Sequence, residues 1–211
     1  MLRHSRPSLP CGLLGLLLLM ITACAPVFSD ARLVGKGQAE ITPTLSASGL
    51  TEEGDSHHLV NNFGVHAMYG VDDRADLFVG YARTEVVIDD GGINIIEFGP
   101  KFALLRDRIA FALPVGLAFG GGADTNDTWH FYPTALFTLP AGSHVDINPA
   151  FRVLIPTCDD CDVLLGVNLG AGIRVGGERT VMRPEFGFLF DPNETGFIWH
   201  FGFAVSIRPG R

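Results

Sequence analysis

The stretch "TGFIWHFGFAVSIR" near the end of the chain places Phe197, Trp199, Phe201, Phe203, Val205 and Ile207 at every second position. Between them fall Ile198, His200, Gly202, Ala204, Ser206 and Arg208. A period of two belongs to a β-strand, whose successive side chains point to opposite faces. The same alternation recurs along most of the chain, and no stretch after residue 35 has helical periodicity. About ten strands are expected, over 37–48, 59–70, 76–87, 93–105, 109–119, 128–140, 143–156, 163–175, 179–190 and 196–208.

The two faces differ in kind. One carries bulky apolar residues, among them Ile41, Leu45, Phe63, Tyr69, Leu77, Tyr81, Phe98, Phe102, Phe151, Leu169 and Phe186. The other carries Gly64, Gly80, Gly99, Gly116, Gly166, Gly170, Gly172, Gly187 and Gly202, interleaved with ionisable groups. A soluble barrel would turn polar side chains to water, not a lattice of glycine. Small residues and scattered charges suit the crowded inner side of a narrow barrel, and the greasy face then has only lipid to meet. The expected fold is all-β, a closed antiparallel up-and-down transmembrane β-barrel of about ten strands (8–10). Against it stand Pro43, Pro100, Pro114, Pro133, Pro149 and Pro184, which fall inside proposed strands and cannot donate to a ladder. Bulges or shorter strands would accommodate them.

The expected inner face holds the acids Glu40, Glu97, Asp146 and Glu185 and the bases Lys101, Arg152, Arg174 and Arg183. Unpaired buried charge is costly, so these groups are expected to pair. A salt-bridged, largely plugged lumen is the expectation; a small selective pore is the alternative.

The start of the chain reads as an export signal: Arg3 and Arg6, then "CGLLGLLLLMITAC", an apolar run too short to span a bilayer. "ITAC" at 21–24 resembles the lipobox of bacterial lipoproteins, which would make Cys24 a lipidated first residue. An ordinary signal peptide with an incidental cysteine is the other reading. The expected organisation is a signal peptide over 1–23, a periplasmic tether over 24–35 and the barrel over 36–211. Cys158 and Cys161, in "TCDDCD", are expected to form a loop disulfide, as a close pair does in an exported protein.

Short connections at 71–75, 106–108, 141–142 and 176–178 alternate with longer ones at 49–58, 88–92, 120–127, 157–162 and 191–195. In such barrels the short turns and both chain ends face the periplasm. The longer loops carry Glu52, Glu53, Asp55, Asp89, Asp90, Asp124, Asp127, Asp159, Asp160, Asp162, Asp191 and Glu194, with no Lys or Arg among them. Carboxylates attract hard cations, so weakly held Ca or Mg, bridging to anionic lipopolysaccharide, is one reading; a merely solvated rim is the other. The formal net charge of −8 argues against nucleic acid as a partner. An enzyme would need a nucleophile or an Asp/His pair that activates water. His57 and His58 sit in the acidic first loop, but no Ser-containing elbow accompanies them. No catalytic residue and no cofactor is assigned.

"YGVDDRADLFVGY" at 69–81 resembles the strand-turn-strand of small bacterial outer-membrane β-barrel proteins. The closing strand, with Phe203, Val205 and Ile207, is similar to the assembly signal on which such barrels end, although it runs on through "RPGR". The resemblance implies a Gram-negative outer-membrane location, with outer-membrane lipid, lipopolysaccharide and the barrel-assembly machinery as partners. It implies no activity. A structural or envelope-integrity role is expected, with a small ion or solute pore, or an enzyme acting on lipid A or peptides, as alternatives.

Overall fold

A computed structural model describes residues 26–87, 92–120, 129–157, 161–177 and 179–209. The expectations for the signal peptide, Cys24, Cys158, Asp89, Asp90, Asp124, Asp127, Asp159 and Asp160 lie outside the described residues.

Among the described residues, the chain forms a closed antiparallel barrel with ten staves and no helices. Seven staves are single strands: β1 (Ala39–Glu52), β2 (Asp55–Gly70), β3 (Ala75–Val86), β4 (Gly92–Leu105), β10 (Val145–Pro156), β11 (Leu164–Arg174) and β12 (Thr180–Phe190). An eighth, β13 (Phe197–Ile207), closes the ring against β1, from Ile41 opposite Ile207 to Thr51 opposite Phe197.

The remaining staves are broken by proline. One consists of β5 (Ile109–Ala112) and β6 (Val115–Phe119), both paired with β4 and separated at Leu113–Pro114. The other consists of β7 (Trp129–Phe131), β8 (Thr134–Phe137) and β9 (Leu139–Pro140), all paired with β10. At the breaks the carbonyls still accept: Pro100 from the amide of Leu113, Pro114 from that of Tyr132, and Pro133 from that of Val153. The ladder loses proline's missing donor and keeps its acceptor. Pro43, Pro149 and Pro184 remain inside continuous strands.

The face assignment holds. Phe201 is 57% exposed and Leu169 57%, while Ala204 and Ser206 are sealed from solvent. Leu45, Phe63, Leu77, Phe98, Phe151 and Phe186 are likewise exposed. These exposed residues therefore lie outside the core; they wrap the outside in a belt. Tyr69 lies toward the short-turn end of this belt, and Tyr81, Trp129 and Trp199 toward the other. The Tyr81 hydroxyl donates to Asn94 and the Trp199 indole to Ser56. Amphipathic rings with a polar tip suit the two edges of a hydrocarbon layer.

Two details differ from the sequence reading. The first longer connection is not a loop: β1 and β2 run on to a two-residue turn at Glu53 (φ 52°) and Gly54 (φ 94°). Positive φ at both central residues makes the twist of a tight hairpin turn, and glycine adopts it freely. Glu52, Glu53, Asp55, His57 and His58 thus ride on an exposed hairpin. A lipid-spanning strand needs about 9–11 residues; β2 has 16, so this hairpin projects well past the belt.

The second concerns the interior, which is not uniformly charged. Its half nearest the longer loops carries apolar clusters: Tyr132, Leu154, Leu164, Leu189 and Ile198 form one, and Ile93, Ile95 and Ala118 another, beside buried Ser48, Asn62, Thr84 and His130.

Candidate functional site

The other half of the interior, toward the short turns, holds the charges, and it holds something the sequence reading put elsewhere. Residues 26–35, expected to hang as a periplasmic tether, run inside the barrel. Val27, Phe28, Asp30, Ala31 and Val34 are all buried. The segment threads down from mid-barrel to the short-turn mouth, where the Gly37 amide bonds the Gly70 carbonyl before β1 begins.

The lumen wall holds this segment by its backbone. The Glu185 carboxylate accepts from the amides of Val27 (2.6 Å) and Phe28 (2.8 Å). Thr138 Oγ1 accepts from the Ala31 amide at 2.9 Å, and Asp76 Oδ2 from the Val34 amide at 2.9 Å. Lys101 Nζ donates to the Arg32 carbonyl at 2.7 Å. A segment with no secondary structure of its own must find partners for its buried backbone groups, and the wall side chains supply them.

Ion pairs fix it further. Asp30 Oδ2 accepts from Arg183 Nη1 at 2.9 Å. Arg32 forms a two-pronged pair with Asp146, which also accepts from Arg174 Nη1 at 2.5 Å. Asp30 belongs to the segment, not to a spanning strand. Burial alone would raise its pKa, but the facing charges of Arg183 and Lys101, with hydrogen bonds from Arg183 and the Arg32 amide, hold it down to about 2.

The charged residues assigned to the lumen have the following partners. Glu40 sits 3.6 Å from Arg183 and 2.8 Å from Arg208. Glu97 faces His66 at 3.3 Å. Lys101 faces Asp76 at 3.6 Å. Arg152 lies 5.4 Å over the Tyr132 ring. Glu185 also accepts from Asn168 at 2.7 Å and lies 3.7 Å from His200. The charges do not simply pair among themselves, as expected; Asp146, Arg183, Lys101 and Glu185 are completed by the threaded segment. Asp30, Arg32 and Arg208 had no place in the expected network. Asp76 was legible, since Leu77 and Val79 point outward and Asp76 therefore points in.

The glycine lattice has its reason here. A Cβ on Gly202 would overlap the Phe28 ring, and one on Gly187 would sit 2.6 Å from the His200 ring. Beside Phe28 a cavity of about 40 Å³ remains, bordered by His66, Glu97, Lys101 and Arg152. It has room for water, not for an organic substrate.

Among the described residues, His66–Glu97 and His200–Glu185 are the histidine–carboxylate ion pairs, and both lie inside the barrel. His58 instead bonds the Val60 carbonyl at 3.0 Å and stacks toward Trp199. Its contacts assemble no water-activating pair on the projecting hairpin.

No family model matches this chain, and no curated protein matches it. Solved structures do. An outer membrane channel from Pseudomonas putida F1 superimposes with a TM-score of 0.51 at 11% identity, over 88% of this chain and 99% of that one. The translocator domain of the autotransporter NalP from Neisseria meningitidis aligns with a TM-score of 0.48 at 9% identity, over 83% and 90%. The attachment invasion locus protein Ail of Yersinia pestis aligns with a TM-score of 0.40 at 12% identity, over 82% and 99%. The chain has the fold of a bacterial outer-membrane β-barrel.

Proposed function

We propose that this protein is an outer-membrane barrel with a structural or envelope-integrity role, closed along its whole bore. One observation carries the reading: the outer surface is greasy, while the interior is filled from one end by residues 26–35 and from the other by inward apolar side chains. Among the described residues a continuous water-filled bore has no room, and no clustered nucleophile and base face a substrate-sized cleft. The belt supports lipid and lipopolysaccharide as surroundings, and the even stave count supports both ends at the periplasmic side. Gel migration after detergent extraction tests the membrane reading. The unboiled barrel should run apart from its boiled form; one unchanged band would argue for a soluble protein.

The threaded segment bears on the signal peptide. The Val27 amide is held on Glu185 inside the wall, and three residues of chain span at most about 11 Å. An acylated cysteine seated in the surrounding bilayer would have to pull the segment out. The burial of this segment supports the ordinary signal peptide over the lipobox as part of the proposal. Palmitate labelling in a Gram-negative host should leave the protein unlabelled. Label lost in Cys24→Ser would restore the lipoprotein and put residues 26–35 outside the barrel. The Cys158–Cys161 staple and assembly by the outer-membrane machinery remain part of the proposal.

A further inference from the structure

We propose a calcium site on the longer-loop rim, formed by Asp162, Asp191 and Glu194. Asp162 lies just before β11 and Asp191 just after β12, and the pairing of Leu165 with Phe190 brings these strand ends together. Glu194 reaches back from the connection between β12 and β13. One carboxylate oxygen from each residue lies within 4.8 Å of the others. Oxygens bound to one calcium at about 2.3–2.6 Å can stand up to about 5 Å apart, so the three lie near enough to share a single ion after small side-chain adjustments.

Three clustered acids on a rim could be mere solvated surface. Asp191 is not: it is only 7% exposed. Its Oδ1 accepts from the Asn193 amide at 2.7 Å, while its buried Oδ2 has no hydrogen-bond partner among the described residues. A buried carboxylate oxygen without a donor is unfavourable unless something positive meets it. Neither flanking connection supplies a cation, since neither 157–163 nor 191–196 contains Lys or Arg. Two exposed carboxylates beside the Asp191 carboxylate complete a hard, anionic oxygen set, and calcium tolerates the irregular geometry of loop ligands better than magnesium does. The remaining positions would be filled by water.

The test is calcium titration calorimetry on the full chain folded in zwitterionic detergent. One saturable site is expected, with a Kd of about 10⁻⁴–10⁻³ M, the class of extracellular modules. Asp191→Asn keeps the bond to the Asn193 amide and removes the charge; it should weaken binding at least about tenfold, as should Asp162→Asn combined with Glu194→Gln. Retained gel heat-modifiability shows that the variants are folded. In chelator the Asp191→Asn protein should melt no lower than the parent, because its buried charge is gone, and calcium should raise the Tm of the parent alone. Absence of saturable binding, or binding unchanged in both variants, would overturn the site. Neither outcome touches the membrane reading.

Discussion

Deleting residues 26–34 should leave the barrel silent in planar bilayers, and the same deletion combined with Leu154→Ser and Leu189→Ser should make it conduct. The bore is closed twice by different means. The threaded segment fills the short-turn half with backbone bonds to Glu185, Thr138 and Asp76. The apolar layer of Leu154, Leu164, Leu189, Ile198 and Tyr132 fills the other half. Removing the segment lets water rise to Lys101, Arg183 and Asp146, which re-solvates them and spares the barrel the cost of bare buried charge. An apolar constriction above still excludes ions by staying dry. Polar substitutions there remove the second barrier.

With the apolar layer opened and the segment left in place, acid should act as the deletion does. The Asp30 pKa is held at about 2, below its ordinary value. Its contribution to seating is therefore complete above the ordinary carboxylate range, and is lost as pH falls through about 2. Conductance should appear on acidification and vanish on return to neutral pH. Conductance from the unaltered chain would revive the pore; conductance from the deletion alone would show that the apolar layer is no seal.

What the sequence disclosed and what it hid divide along a physical line. Strand existence, facing and number follow from local alternation, so Phe201 out and His200 in could be read without coordinates. The same parity placed Glu40, Lys101, Asp146 and Arg183 in the lumen. It also turns Leu154, Leu164 and Leu189 inward, since Val153, Leu165 and the Phe188/Phe190 pair point the other way, but alternation alone does not say that inward leucines from different strands meet in a cluster. Residues 26–35 have no period at all. Their partners are far along the chain, Glu185 being 158 residues from Val27, and nothing in "PVFSDARLVG" announces that its amides will be met by wall carboxylates. The hairpin tip failed for a different reason: "TEEGD" reads as a solvated loop by composition, whereas its Glu-Gly pair suits a two-residue turn.

Phe201→Arg should destabilise the barrel in lipid vesicles by about 2–4 kcal/mol, the cost of a lipid-facing cation near the bilayer midplane. Phe201 lies mid-strand on β13, between Ala47 of β1 and Phe186 of β12, and is more than half exposed. In water such a site tolerates a charge well, and surface substitutions rarely exceed about 0.5 kcal/mol. The sign and size of the effect therefore report the solvent outside the wall, not the packing within it. Glu53→Arg, on the projecting hairpin beyond the belt, is the matched control and should change little. Urea unfolding in vesicles measures both. Equal, small effects at the two positions would mean that water surrounds the aromatic belt, and the bilayer would have to be abandoned as the medium in which this chain is folded.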